Sequence, residues 1–192
     1  MLHLGSLQSK HAILFLHGYN QTANDAMRKV NSSLSKHILS RIVIFFPKRK
    51  WFHYKNDHSL DYDDSSLIET RKYVIRLLNC MRKLYDSVNL IGYSQGACLA
   101  LDVATKQKRH ISVLSISGYL LNDYGTSSCT KTHIWSIHGN KDIEISHKQM
   151  IESLKKHNNE MLILQNESHW GFWNNPKFKA HFQKFIIMNL QL

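Results

Sequence analysis

A serine between two glycines, an aspartate after a His-Gly pair and a histidine near the C-terminus are side chains whose types and order suit acyl transfer. Ser94 stands in Gly92-Tyr93-Ser94-Gln95-Gly96, Asp142 in His138-Gly139-Asn140-Lys141-Asp142, and His169 in Asn166-Glu167-Ser168-His169-Trp170. A serine hydroxyl is a weak nucleophile until a base takes its proton. An imidazole does this well when a carboxylate fixes its tautomer and steadies the imidazolium. The chain order Ser94, Asp142, His169 is one of the known orders of nucleophile, acid and base. Glu144, two residues beyond Asp142, is the competing acid.

The glycines have a physical purpose. If Ser94 sits on a sharp strand-to-helix turn, side chains two positions either side would collide, and Gly92 and Gly96 remove them. Chance alone would place such a pattern in roughly one chain in thirty of this composition. Backbone N–H groups must also stabilise the oxyanion of the tetrahedral intermediate. The candidates are Gln95, directly after the nucleophile, and Tyr19, in His17-Gly18-Tyr19-Asn20. Asn20 tolerates left-handed backbone angles in such a loop. With 13 histidines no single one is persuasive, and His169 is selected by its place after the last strand. No His-Glu-x-x-His and no clustered cysteines suggest a metal, so none is expected. Aromatic residues Trp51, Phe52, Tyr54, Trp170, Phe172 and Trp173, with Tyr119 and Leu120 at a strand end, offer the wall of an acyl pocket.

These residues need elements to position them. Short apolar runs at residues 12–16, 42–46, 88–91, 111–116, 133–137 and 161–164 read as about six strands. Between them lie helical segments: 22–39 with apolar Ala26, Val30, Leu34 and Ile38, 67–85 behind Asp63, Asp64, Ser65 and Ser66 as caps, a helix after Gly96 to about 106, 146–157, and 176–188 opened by Pro176. Strands apolar on both faces and alternating with helices imply an α/β fold, a mostly parallel sheet with helices on both faces. In such sheets ligands bind outside the carboxyl ends of the strands. Ser94, Asp142, His169 and the His17 loop all fall at such ends. Residues 51–64 lack periodicity and read as a functional loop, so residues 48–66 are expected to lie by the substrate site within one domain spanning 1–192.

Composition narrows the classes. At 192 residues with only 2 Pro and 8 Gly there is little room for a flexible linker. No apolar run is long enough to span a bilayer, and the N-terminus lacks the apolar region of a secretory signal. Three cysteines in no paired spacing read as free thiols, hence a cytoplasmic protein. A net charge of +11 attracts anionic partners or surfaces without naming one. No zinc-finger, ribonucleoprotein or helix-turn-helix pattern points to specific nucleic-acid binding.

Taken together, Phe15-Leu16-His17-Gly18, Gly92-Tyr93-Ser94-Gln95-Gly96, Ser117-Gly118-Tyr119-Leu120, His138-Gly139-Asn140-Lys141-Asp142 and the Trp51-Phe52 pair resemble the phospholipase/carboxylesterase family that includes the acyl-protein thioesterases. The likeness runs from about residue 11 to the C-terminus. It departs from the family pattern at Asn20 and Ala97, where glycine is usual, and in the basic segment that begins at Lys48. The resemblance implies a compact α/β-hydrolase fold and cofactor-free cleavage of small-molecule or lipid esters, or of S-acylated proteins, with Ser94, Asp142 and His169 as triad and Tyr19 and Gln95 as oxyanion donors. The alternative is a non-catalytic binding protein on the same fold.

Overall fold

Runs of β-branched and aliphatic residues pack well on a pleated surface, and here they are apolar at consecutive positions, which suits strands covered on both faces. A computed structural model describes residues 1–52, 65–107, 109–121 and 132–189. Its strands are β1 (Leu2–Gly5), β2 (His11–Leu16), β3 (Val43–Phe46), β4 (Ser87–Tyr93), β5 (Ile111–Ile116), β6 (Thr132–Gly139) and β7 (Asn159–Leu164). They form one sheet in the order β1-β3-β2-β4-β5-β6-β7. Every pairing is parallel except that of β1 with β3, which sets Leu2 opposite Phe46 and Gly5 opposite Val43. The helices are α1 (Ala23–Ser33), α2 (Lys36–Leu39), α3 (Ser65–Met81), α4 (Gln95–Thr105), α5 (His147–Leu154) and α6 (Pro176–Asn189).

Successive strand residues face opposite sides of a sheet, and the core divides accordingly. Leu14, Leu16 and Leu90 belong to a buried cluster with Leu67 and Val74 of α3, Leu101 of α4 and Met150 of α5. Ile13, Phe15, Ile91 and Trp135 belong to the other, with Ala26 and Val30 of α1 and Phe178 and Phe182 of α6. The expected α/β architecture with helices on both faces is therefore the one observed. Helices α3 and α4 are also joined by a buried carboxylate: Asp102 accepts from Arg71 at 2.5 Å and from Lys106 at 2.5 Å.

Three details differ from expectation. The sheet has seven strands rather than about six, because β1 adds an edge strand whose residues alternate between exposed and half-buried. The helix expected over 22–39 is two: Leu34 is extended at the end of α1, and the Ser35 hydroxyl caps α2 by accepting the Ile38 N–H. The apolar spacing continues across this break, which is why periodicity does not reveal it. The helix expected to reach residue 85 ends at Met81. Residues 53–64, with Tyr54 and most of the 48–66 loop, and Cys129 lie outside the described residues. Cys80 and Cys98 are free thiols. Among the described residues no helix is long and apolar enough to cross a membrane.

Candidate active site

Strand β4 ends at Tyr93 and α4 begins at Gln95, so the chain reverses at Ser94. Ser94 takes φ 53° and ψ −122°, a conformation that costs a non-glycine residue roughly 1–3 kcal/mol and holds its side chain at the tip of the turn. The turn is tight enough to need its glycines. A Cβ on Gly92 would lie 2.3 Å from the Gly96 carbonyl oxygen, and one on Gly96 would lie 2.2 Å from that of Leu16 in β2.

His169 and Asp142 come from the loops after β7 and β6, and the two loops are laced together. The Lys141 N–H donates to the Glu167 carbonyl at 2.9 Å and the Asn140 N–H to that of Leu164 at 3.0 Å. The Asn166 N–H donates to Asn140 Oδ1 at 2.7 Å. From the elbow itself, the buried Tyr93 hydroxyl donates to the His169 carbonyl at 2.9 Å. Burial first, then the negative charges of Glu144 and Asp142, push the Tyr93 phenol far above its usual range, so it remains a donor.

The three residues picked from sequence form one hydrogen-bonded line. Ser94 Oγ lies 2.8 Å from His169 Nε2, and His169 Nδ1 lies 2.6 Å from Asp142 Oδ2. An ionised Asp142 only accepts, so Nδ1 carries the proton and Nε2 is left to accept from the Ser94 hydroxyl. The Asp142 carboxylate has no side-chain exposure. Its Oδ1 accepts the N–H of Glu144 at 3.0 Å and of Ile145 at 2.9 Å. Burial alone would raise its pKa; hydrogen bonds from His138, His169 and the Ile145 N–H overcome this and hold it well below the usual carboxylate range.

His138 is a participant that the sequence reading quotes without a role. Its Nε2 lies 3.1 Å from Asp142 Oδ2 and 2.7 Å from the Ile145 carbonyl oxygen. Both neighbours are acceptors, so Nε2 carries the proton, while the buried Nδ1 has no hydrogen-bond partner among the described residues. The available signal was its position, four residues before Asp142 at the end of β6.

Glu144 meets the opposite edge of the His169 ring. Its side chain is 48% exposed, and Oε2 lies 3.7 Å from His169 Nε2. Oε1 accepts the Trp170 indole N–H at 2.5 Å. Trp170, itself 46% exposed, stands edge-on to His169 with ring centroids 5.1 Å apart. The Lys29 ammonium sits 5.2 Å from the Trp170 ring, 5.1 Å from Tyr93 and 5.5 Å from Trp173. Desolvation there lowers the Lys29 pKa, against a smaller upward pull from Asp25.

The other sequence candidates divide. Gln95 is buried in the first turn of α4, where N–H groups have no intrahelical acceptor, and its side chain donates to the Phe52 carbonyl at 2.9 Å. Tyr19 is exposed, next to Asn20 at φ 54°. Trp51 and Phe52 are buried: the Trp51 indole donates to the His17 carbonyl at 2.7 Å, so the pair braces the His17 loop and the elbow. Tyr119 and Leu120 are half-buried after β5, and burial raises the Tyr119 phenol to about 12. Lys48, Arg49 and Lys50 line a cavity of about 380 Å³ with His17 and the start of α1; Ser94 and His169 are not among its lining residues.

A mostly parallel seven-stranded sheet carrying a strained serine at the β4–α4 turn defines an α/β hydrolase. Residues 63–172 match the phospholipase/carboxylesterase family, and the chain belongs to it. No curated relative matches by sequence. Among solved structures, SOBER1 of Arabidopsis thaliana superposes with a TM-score of 0.78 at 20% identity, over 94% of this chain and 99% of that one. Acyl-protein thioesterase 2 of Zea mays gives 0.73 at 17% identity, over 97% and 96%. Est1E of Butyrivibrio proteoclasticus, solved with ferulic acid bound, gives 0.70 at 11%, over 98% and 94%. At these identities the likeness is one of fold.

Proposed function

We propose that this protein is a serine hydrolase that cleaves carboxylic esters or thioesters through an acyl-Ser94 intermediate. The observation that carries the reading is the unbroken line from Ser94 Oγ through His169 to the buried Asp142, mounted on a strained elbow. His169 Nε2 takes the Ser94 proton as Oγ bonds to the substrate carbonyl carbon. The resulting oxyanion is held by the backbone N–H groups of Tyr19 and Gln95. Collapse breaks the carbon–oxygen or carbon–sulfur bond, and Nε2 returns its proton to the departing alcohol or thiol. Water then gives a proton to Nε2 and attacks the acyl carbon. The second collapse frees the carboxylic acid and returns the proton to Ser94 Oγ. Every proton comes from the chain's own residues, substrate or water, and no cofactor enters.

Trp170, Tyr119 and Leu120 supply apolar surface for the acyl chain, where each buried methylene contributes about 0.8 kcal/mol. Membership of the family and the fold shared with a plant acyl-protein thioesterase support lipid esters and S-acylated proteins as substrates. The free thiols of Cys80 and Cys98 support a cytoplasmic setting. The test is covalent labelling by a fluorophosphonate. Wild-type protein should be labelled, and folded Ser94→Ala should not. A wild-type protein left unreacted would be a binding protein on a hydrolase fold, and labelling that survives in Ser94→Ala would put the nucleophile elsewhere.

A further inference from the structure

We propose that Glu144 selects the leaving group by charge, favouring esters and thioesters whose departing alcohol or thiol carries a cation close to the scissile bond. This rests on the hydrolase reading above. In that reaction Nε2 of His169 hands its proton to the leaving oxygen or sulfur, which must come within about 3 Å of it. Glu144 Oε2 is already 3.7 Å from the same nitrogen. The substituent on the leaving atom therefore passes the carboxylate at a few ångströms, well inside the ~8 Å Debye length of physiological salt. An anionic substituent meets a like charge there. An ammonium meets an opposite one.

The carboxylate is placed rather than loose. The Trp170 indole holds Oε1, and the Glu144 N–H donates to Asp142 Oδ1, so the residue is pinned by the acid that orients His169. Nor is it consumed by His169 in the resting state, since Nε2 there carries a lone pair and no hydrogen to offer. Opposing charges exist. The net charge of +11 favours anions, but it is spread over the surface and screened. Lys29 is seated against the rings of Tyr93, Trp170 and Trp173. At ~5 Å, Coulomb attraction is worth roughly fourfold in bulk-water dielectric and more at a half-buried site. The anion is repelled by as much as the cation is attracted, so their ratio is roughly sixteenfold unscreened and about tenfold once the surrounding positive charge and salt are counted.

The experiment compares three butyryl thioesters with the same acyl group, those of thiocholine, 2-mercaptoethanol and 2-mercaptoethanesulfonate, using the full chain and detection of the released thiol. The wild-type kcat/KM ratio of cationic to anionic substrate should be about ten at low salt and shrink as salt is added. Glu144→Gln should reduce that ratio by roughly fivefold, whatever happens to absolute rates, and Glu144→Lys should invert it. A wild-type ratio near one, or a ratio that Glu144→Gln and Glu144→Lys leave unmoved, overturns the charge role while turnover of the neutral thioester leaves the hydrolase standing. A wild-type protein that hydrolyses none of the three overturns the charge role, and the hydrolase reading with it if a fluorophosphonate also fails to label Ser94.

Discussion

On one side of the His169 ring, Asp142 is sealed from solvent and accepts hydrogen bonds from His169, His138 and two backbone N–H groups. On the other, Glu144 is half open to water and accepts the Trp170 indole. The acids belong to one loop, two residues apart, yet they stand in different media. In a low-dielectric interior each hydrogen bond to a charge is strong, and a missing one is costly. At a wet surface the same bond is screened and adds little to stability. A sealed carboxylate with a full set of donors is suited to orienting its partner. An open one beside Nε2 stands where substrate passes, and is suited to discriminating.

The largest expected break in this symmetry is in activity. Asp142→Asn should lower kcat/KM on a neutral ester by about 10⁴, because an amide admits the wrong imidazole tautomer. Glu144→Gln should cost less than tenfold on the same ester, and steady-state kinetics on the two variants would reverse the assignment if their ranks were exchanged. The same comparison reaches stability. The Asp142 pKa is depressed on folding, so its contribution is complete above its unfolded value of about 3.9 and is lost as pH falls through the lower folded value. Denaturant unfolding of wild-type protein from pH 6 downward should thus weaken most below about pH 4, and Asp142→Asn should flatten that acid limb. An unchanged limb would mean that other carboxylates account for it.

His138 offers the next test, since it gives one donor to the sealed acid. His138→Leu removes a hydrogen bond to an ionised group, an interaction worth about 1.5–3 kcal/mol. In a chain of this size each 1 kcal/mol shifts the melting temperature by about 2–4 °C. His138→Gln, whose amide can reach where Nε2 stood, should recover part of the loss. If Leu and Gln melt alike, packing rather than hydrogen bonding sets the value of this side chain.

How far these features can be read from sequence follows from their range along the chain. Ser94, Asp142 and His169 each follow a strand that its own residues announce, and the parallel sheet brings strand ends together. The two covered faces are legible for the same reason: Leu14 and Leu16 alternate with Ile13 and Phe15 within one short run. Strand β1 is not legible, because Leu2 and Leu4 acquire a partner only when Phe46 and Ile44 of distant β3 lie opposite. The turn at Leu34 and Ser35 hides beneath an apolar spacing that suits one helix as well as two. His138 reads as a strand residue until its ring is seen against Asp142. The choice of Asp142 over Glu144 is legible from its place nearer the end of β6, whereas the approach of Glu144 to the Nε2 side of the ring is not.

The smallest expected effect is the counterpart of His138→Leu on the open side. Trp170→Phe removes the donor to Glu144 but keeps an aromatic ring against His169 and Tyr93, whose centroids lie 5.1 and 5.6 Å away. Two interactions are weakened, the hydrogen bond to a half-exposed carboxylate and the attraction of Lys29 to the richer indole face, together worth about 1 kcal/mol. Water replaces the lost donor on Glu144, as it cannot on Asp142. The melting temperature should therefore fall by only about 2–4 °C, less than for His138→Leu. The leaving-group charge ratio should decline by roughly twofold as Glu144, freed from the indole, samples other rotamers and spends less time beside Nε2. Paired melts and paired thioester ratios on the two variants make the comparison. Should Trp170→Phe destabilise the protein as much as His138→Leu, the two sides of the imidazole would differ less in dielectric than in geometry.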